Sequence, residues 1–200
     1  KKVLANKEIL AWILKTCIEE FHDCPLEDIA GKYIEGEPEI SKTAVHRDEG
    51  KEFISGLNTE DASMKEGTVT FDIKFRAVIP SKDAMIEMIV NLETQNDFYP
   101  GYPIVKRGIY YASRMISSQY GTVFSGSQYQ KIQKVVSIWI CPHPPGYRKN
   151  TIVSYSLKEN DIVGVTKEEK RNYDLISVIM ICLGGQGGEG DVGQIRLAHG

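Results

Sequence analysis

The sequence predicts an α/β protein, a sandwich in which a mixed sheet is flanked by helices. Three patterns lead to this class: an amphipathic helical stretch near the start, a pair of alternating strands in the middle, and a helix followed by a continuous apolar run. The 200 residues suffice for one sizeable core. We therefore expect a single domain over residues 1–183 and a flexible glycine-rich tail over 184–200, in a chain cut from a longer polypeptide.

The first predicted element is an amphipathic helix over residues 7–22, whose apolar residues recur at helical spacing. Pro25 stands where a second, shorter helix could begin. Residues 34–66 are acidic and rich in Gly, Ser and Thr, which predicts a loop with at most one short strand, around Phe53 and Ile54.

Two strands joined by a turn are predicted next. Residues 68–77 alternate with period two, as in a half-buried strand, and Asp72 falls on the polar face. Residues 85–95 repeat the alternation and predict a second strand that pairs with the first as a hairpin. The apolar face of the first strand should comprise Val69, Phe71, Ile73, Phe75 and Ala77.

The second half of the chain predicts a long helix and further strands. Pro103 suits the first turn of a helix over residues 104–124. Residues 135–141 are continuously apolar, which is typical of a central buried strand. Residues 151–156 predict a further strand, whereas residues 174–183 fit a strand or a helix equally well.

Basic residues are concentrated in one part of the chain, although the net charge of −3 does not favour a generic nucleic-acid binder. Residues 103–150 contain seven Lys and Arg and no acid, which makes this stretch a candidate phosphate-facing surface; a solvated basic face is the equally good alternative. On the predicted helix, Arg107, Tyr111 and Arg114 form one stripe with Lys106 beside it, a candidate DNA contact, although tyrosines at this spacing more often belong to a core.

Other site types are disfavoured. The four cysteines form no CxxC pair, so they should be structural thiols, and His143, followed by two prolines, should be a loop residue. No apolar run is long enough for a membrane span and no secretory signal is visible, which predicts a cytoplasmic protein. No Gly-rich phosphate loop is followed by Lys-Ser/Thr, which argues against an enzyme for small phosphorylated substrates.

The most informative constellation is a pair of acids on the predicted hairpin. Glu93 and Gln95 share a face of the second strand, and hairpin pairing can bring that face beside Asp72. Two carboxylates and the carbonyl of Thr94 would offer the oxygen ligands that Mg²⁺ prefers. The alternative is two surface acids on a half-exposed sheet.

Four runs of the sequence, taken in order, resemble the PD-(D/E)XK nuclease family transposases, which are similar to the bacterial recombination-promoting nucleases. The runs are Thr70–Phe75, Ile89–Gln95, Tyr102–Tyr111 and Ser137–Cys141. The resemblance implies a bacterial, Mg²⁺-dependent DNA endonuclease, with Mn²⁺ as a substitute metal. It also implies a restriction-endonuclease-like αβββαβ core with the active site at the splayed end of its central hairpin.

Site residues follow from the resemblance by position. Asp72 takes the place of the metal-binding aspartate, Glu93 that of the second acid, and Gln95 the place usually held by lysine. The first helix often supplies another acid in this superfamily, and Glu20 suits that role better than Glu19 because it lies nearer the apolar stripe.

Two positions depart from the motif. Phe71 stands where the superfamily's name leads one to expect proline, a position that holds no metal. Gln95 can position water through hydrogen bonds but carries no charge. Lys74, on the same predicted strand face as Asp72, could supply that charge and contact DNA.

The predicted function is therefore Mg²⁺-dependent cleavage of DNA, in connection with a mobile element or recombination. The alternative is a catalytically degenerate nuclease fold that serves as a DNA- or protein-binding module. DNA is the expected partner, and the sequence leaves open whether the protein forms a homodimer.

Overall fold

In the computed structural model of the chain, residues 3–40, 60–63, 67–80 and 85–184 are described. The helices are α1 (Lys7–Cys17), α2 (Leu26–Asp28), α3 (Ile104–Ser117) and α4 (Lys170–Tyr173). The strands are β1 (Ile34–Ile40), β2 (Glu60–Ser63), β3 (Gly67–Thr70), β4 (Ile73–Pro80), β5 (Met85–Thr94), β6 (Lys134–Cys141), β7 (Thr151–Ser156) and β8 (Ile176–Cys182). Shorter turns are a π-helical turn at Ile29–Tyr33 and 3₁₀ turns at Glu19–Phe21, Tyr129–Lys131 and Gly146–Arg148.

A mixed six-stranded sheet in the order β1-β4-β5-β6-β8-β7 forms the centre of the fold. The central strands β5, β6 and β8 are parallel to one another. The flanking strands β4 and β7 pair with them in antiparallel fashion, and β1 pairs antiparallel with β4. This arrangement confirms the predicted α/β class, and residues 174–183 prove to contain a central parallel strand.

Two helices cover opposite faces of this sheet. The face toward α1 is lined by residues such as Phe75, Val90 and Ile138, which pack with Leu10 and Leu14 of α1. The face toward α3 is lined by Ile89, Val135, Trp139 and Val178, which pack with Ala112 and Met115 of α3. Because side chains alternate along a strand, each residue of β5 is committed to one helix or the other.

The first helix ends before the apolar residues at helical spacing do. The side chain of Asn6 caps α1 by accepting hydrogen bonds from the backbone N–H groups of Glu8 and Ile9. The chain leaves the helix at Ile18, which has extended backbone angles, and the following 3₁₀ turn still buries Phe21. The expected helix over residues 7–22 was therefore too long, because apolar spacing persists through the turn.

The prediction that the apolar residues of 68–77 share one face of a single strand was wrong. The chain bends between β3 and β4, so Val69 and Phe71 pack on the α3 side whereas Ile73, Phe75 and Ala77 pack on the α1 side. β3 belongs to a separate two-stranded sheet with β2. Asp72 consequently lies in the bend that immediately precedes β4 rather than within a continuous strand.

Two other boundaries differ from the prediction. Residues 34–40 form the edge strand β1 rather than a loop, because they pair with β4 despite their acidic composition; the short strand expected around residues 53–54 lies outside the described residues. α3 ends at Ser117 instead of reaching residue 124, and Gly121 adopts a positive φ in the turn that follows. The tail expected over 184–200 lies outside the described residues from 185 onward.

Among the residues described, no helix combines the length and apolar character needed to cross a bilayer.

Candidate active site

Two acids meet at the carboxyl-terminal end of β5, on the face covered by α3. In β5 the residues Met88, Val90 and Leu92 face α1, so the alternate positions Asn91 and Glu93 face α3. The register Ile73↔Leu92 places Asp72 opposite Glu93 one step further along. The predicted proximity of the two acids is thus present in the structure, although Asp72 lies in a bend.

Reciprocal hydrogen bonds hold the two acids together. The backbone N–H of Asp72 donates to Oε1 of Glu93 at 2.9 Å. The backbone N–H of Thr94 donates to Oδ2 of Asp72 at 3.2 Å. Both side chains are nearly buried, with 7% of Asp72 and 5% of Glu93 exposed. Each carboxylate is therefore oriented by the backbone of the strand that carries the other.

Burial and like charge perturb the titration of Glu93. Desolvation, and then the charge of Asp72, raise the pKa of Glu93 to about 8. Hydrogen bonds from the backbone of Asp72 and from Asn91, together with the charge of Arg107, act in the opposite direction. Glu93 therefore holds a proton at neutral pH in the absence of a cation, and a cation would favour its release.

Asn91 also belongs to this site, although the sequence-based prediction did not include it. It is fully buried, and its Nδ2 donates to Oε1 of Glu93 at 3.2 Å. Among the residues described, its Oδ1 has no hydrogen-bond partner, which is costly for a buried polar atom. The signal was available in the sequence, because Asn91 and Glu93 are two positions apart on one strand and must share a face.

Lys74 lies on the same side of the sheet as the two acids. It stands opposite Asn91 in the β4–β5 register and opposite Glu39 in the β1–β4 register. The side chain is nearly buried, and Nζ lies 5.0 Å from the centre of the Phe71 ring. Its backbone position agrees with the prediction that it accompanies Asp72, but its burial does not favour a direct contact with DNA.

Arg107 is held over the site by several aromatic side chains. Its Nη2 donates to the hydroxyl of Tyr111 at 2.8 Å, and Nη1 approaches the hydroxyl of Tyr102 at 3.4 Å. The guanidinium carbon lies 5.0 Å from the ring centre of Tyr111 and 5.3 Å from that of Trp139. Arg107 is half-buried, and these contacts fix the direction of its guanidinium group.

Gln95 links Arg107 to the end of β5. Its backbone N–H donates to the carbonyl of Ile140 at 2.8 Å, which continues the pairing with β6. Its Oε1 accepts from Nη1 of Arg107 at 3.5 Å, and its Nε2 donates to the carbonyl of Asp97 at 2.5 Å. Gln95, which the resemblance places in the lysine position, therefore lies next to the positive charge of Arg107 and carries none of its own.

The predicted basic stripe on α3 is only partly exposed to solvent. Lys106 is exposed, whereas Tyr111 is buried with its ring 5.5 Å from that of Phe71 and 5.4 Å from that of Trp139. Arg114 is buried as well, and its Nη1 donates to the hydroxyl of Tyr110 at 3.1 Å. The expectation of DNA contacts from Tyr111 and Arg114 is thus corrected, because the helix turns these side chains into the protein.

Glu20 does not reach the two acids. It lies in the 3₁₀ turn after α1, where Nζ of Lys134 is 2.5 Å from its carboxylate and 2.8 Å from that of Asp174. Lys134 stands beside Met88 in the β5–β6 register, which is roughly 17 Å along the strand from Glu93. The predicted role of Glu20 in the site is therefore wrong, because the chain leaves α1 earlier than the apolar pattern indicates.

The donor set suits a hard divalent cation. Two carboxylates meet beside Thr94, whose backbone N–H donates to Oδ2 of Asp72. Within the described part of the chain, no group of three or more His, Cys, Asp or Glu side chains forms a fuller cage. Mg²⁺ is commonly held by one or two carboxylates together with waters and substrate phosphates, so two acids are sufficient for an open site.

Comparisons of the chain with protein-family models, with curated proteins and with solved structures found no match.

Proposed function

We propose that this chain is a Mg²⁺-dependent DNA endonuclease built on a restriction-endonuclease-like core. The order of its elements supports this fold, since α1, β1, β4, β5, α3 and β6 follow the pattern αβββαβ and β2 and β3 form an inserted hairpin. The four sequence runs that resemble PD-(D/E)XK nuclease family transposases contribute the bend, the end of β5, the start of α3 and β6.

The observation that carries the proposal is the reciprocal pair of hydrogen bonds between Asp72 and the end of β5. Two acids on a solvated sheet would point into water, whereas these are nearly buried and the pKa of Glu93 is raised to about 8. Burial of two like charges is costly unless a cation or a proton compensates them. A cation bound between the two acids would offset this cost, which supports the proposal.

Each residue then has a role that its position allows. Asp72 and Glu93 would hold Mg²⁺, with the Thr94 carbonyl as a third oxygen. When bound, the metal would lower the pKa of a water molecule and stabilise charge on a scissile phosphate. Gln95 would orient that water through its amide, and Arg107 would receive a phosphate oxygen in its fixed orientation. Lys74 would add positive charge beside the acids, and Lys106 would contact the DNA backbone from the exposed side of α3.

The decisive experiment is nicking of supercoiled plasmid in Mg²⁺ by single variants. Asp72→Asn and Glu93→Gln preserve shape and remove charge, so we expect each to reduce nicking at least about 100-fold, since each removes a metal ligand. Glu20→Gln is the matched control, because it neutralises an acid at the opposite end of the sheet. Nicking that survives in both site variants would refute the proposal.

One observation favours a second candidate, a DNA-binding module without hydrolytic activity. Oε1 of Glu93 is already engaged by Asp72 and Asn91, and the lysine of the nuclease motif is absent. Calorimetric titration with Mn²⁺ separates the two candidates. A site that is lost in Asp72→Asn favours the nuclease, whereas the absence of any site in the unsubstituted protein favours the binding module.

The setting proposed for this activity follows the same resemblance. We place the protein in the bacterial cytoplasm, acting on DNA in recombination or in a mobile element. A homodimer would present two such sites and would allow both strands to be cut.

A further inference from the structure

Three exposed tyrosines border the candidate active site, and we call Tyr99, Tyr102 and Tyr147 the tyrosine rim. Their exposed fractions are 63%, 42% and 73%, respectively. Tyr99 and Tyr102 belong to the segment between β5 and α3, and Tyr147 belongs to the 3₁₀ turn after β6. All three therefore lie near the strand ends that carry Glu93 and Gln95.

Hydrogen bonds link the members of the tyrosine rim to each other and to residues of the site. Nε2 of Gln95 donates to the carbonyl of Asp97, and Oδ1 of Asp97 accepts from the backbone N–H of Tyr99 at 2.9 Å. The hydroxyls of Tyr99 and Tyr147 lie 2.9 Å apart. The hydroxyl of Tyr102 accepts from Arg107, which also reaches Gln95. The rings are thus fixed by their hydroxyl ends while much of their surface stays in water.

Positive charge accompanies these rings. The guanidinium of Arg148 lies 5.8 Å from the ring centre of Tyr147, and Lys149 follows it on the exposed surface. Asp97 is the one acid that the chain of contacts includes, and its carboxylate caps Tyr99. Cationic side chains next to exposed aromatic rings are the combination that binds single-stranded nucleic acid, in which bases stack on rings and phosphates meet the charges.

We infer that the tyrosine rim binds unpaired bases of a single-stranded DNA segment next to the phosphate that is cut. This inference rests on the proposed nuclease function and specifies its substrate as DNA with an unpaired region. The five residues from Gln95 to Tyr99 span at most roughly 14 Å over four backbone steps, about the length of four nucleotide steps along one strand of B-DNA. Bases inside an intact duplex are already stacked on each other and would not reach the rings.

The test measures binding of two fluorescent oligonucleotides in the presence of EDTA, so that cleavage does not contribute. One is a short oligothymidine, and the other has the same phosphates with abasic spacers in its centre. We expect the unsubstituted protein to bind the oligothymidine on the order of tenfold more tightly, because only that ligand can stack. Equal affinity for the two ligands would overturn the inference without any variant.

Variants then assign the preference to the tyrosine rim. Tyr147→Ala should weaken binding of the oligothymidine about tenfold and change binding of the spacer ligand by less than about twofold, whereas Tyr147→Phe retains the ring and should bind nearly normally. Tyr129→Ala is the matched control, because Tyr129 is 64% exposed but precedes the opposite end of β6. An equal loss on both ligands would identify a charge effect and refute the stacking role.

Failure of this inference differs from failure of the proposed function. If the protein nicks plasmid in Mg²⁺ but Tyr147→Ala retains its affinity for oligothymidine, the nuclease stands and the tyrosine rim is refuted. If base-dependent binding is lost in Tyr147→Ala but no variant or condition yields nicking, the tyrosine rim stands and the nuclease is refuted.

Discussion

Glu93 is the residue of the candidate site whose pKa is most affected by its surroundings. Its Oε1 accepts from the backbone of Asp72 and from the amide of Asn91, and its surroundings favour the protonated form. A carboxylic acid kept neutral by burial is available to bind a cation only when it gives up its proton. Metal affinity should therefore increase with pH up to the pKa of this group.

The same property predicts how stability depends on pH. The pKa of Glu93 is about 8 in the folded protein against an ordinary value of 4.5, so the folded state binds this proton more tightly than the unfolded state. The stabilisation from this proton is complete below pH 4.5 and is lost as the pH rises to about 8. Glu93→Gln keeps the neutral shape at every pH, so this substitution should remove that loss, which amounts to a few kcal/mol.

Melting temperatures measured without metal from pH 5 to pH 9 check this expectation. The difference between Glu93→Gln and the unsubstituted protein should favour the variant increasingly as the pH rises, while other titrating groups cancel in the comparison. Glu20→Gln serves as control. Curves that run parallel across this range would show that Glu93 titrates normally.

At the scale of single residues, the sequence was informative where strand alternation applies. The pairing of Asp72 with Glu93 could be predicted, because a hairpin brings facing positions together. The roles of Asn91 and of the aromatic neighbours of Arg107 could not, since they depend on how closely α3 lies against the sheet. Glu20 was assigned from helical spacing, which does not reveal where a helix stops.

α3 is the element that brings positive charge to the acids, and Gly108 controls how closely it approaches. A Cβ atom added at Gly108 would lie 2.6 Å from Cγ1 of Val178 and 3.0 Å from Nε1 of Trp139. Helix propensity alone would favour alanine here by about 1 kcal/mol. Contact with two buried side chains of a close-packed face should outweigh that preference.

Gly108→Ala should therefore destabilise the protein by roughly 1–3 kcal/mol, as over-packing typically does, and should displace the neighbouring Arg107 from the site. We expect a lower midpoint of urea unfolding together with reduced nicking by the folded variant. Gly31→Ala is the matched control, since a Cβ atom there meets nothing within 4 Å. A Gly108→Ala protein as stable as the Gly31→Ala protein would contradict this account of the packing.

Elements were predicted well where one pattern fills the whole segment, as alternation does in β5 and a continuous apolar run does in β6. Errors arose where apolar spacing in the sequence continues beyond the end of the helix. Apolar spacing continued from α1 into a 3₁₀ turn and from α3 into the turn that contains Gly121, so both helices were drawn too long. The strand β1 was missed because an acidic edge strand carries little apolar signal.

Across the whole molecule, the two ends of the central strands carry different kinds of charge. The carboxyl-terminal end of β5 holds two nearly buried acids that accept backbone hydrogen bonds and lie near Arg107. The amino-terminal end of β6 holds Lys134, which is paired with both Glu20 and Asp174. The acids at one end are paired with a lysine, whereas at the other end burial and the charge of Asp72 favour the protonated form of Glu93.

This division predicts that stability and chemistry can be separated by mutation. Lys134→Met removes the cation from a mostly buried pair of acids, and loss of one partner from such a cluster costs about 3 kcal/mol. Because Lys134 lies roughly 17 Å along the sheet from Glu93, nicking per folded molecule should be unchanged at a temperature where the variant remains folded. Urea unfolding and plasmid nicking of the same preparation measure the two quantities.

The triple variant Glu20→Gln, Lys134→Met, Asp174→Asn should recover much of the lost stability, since it neutralises all three members of the cluster. Failure to recover that stability would show that Lys134 contributes through packing instead of charge.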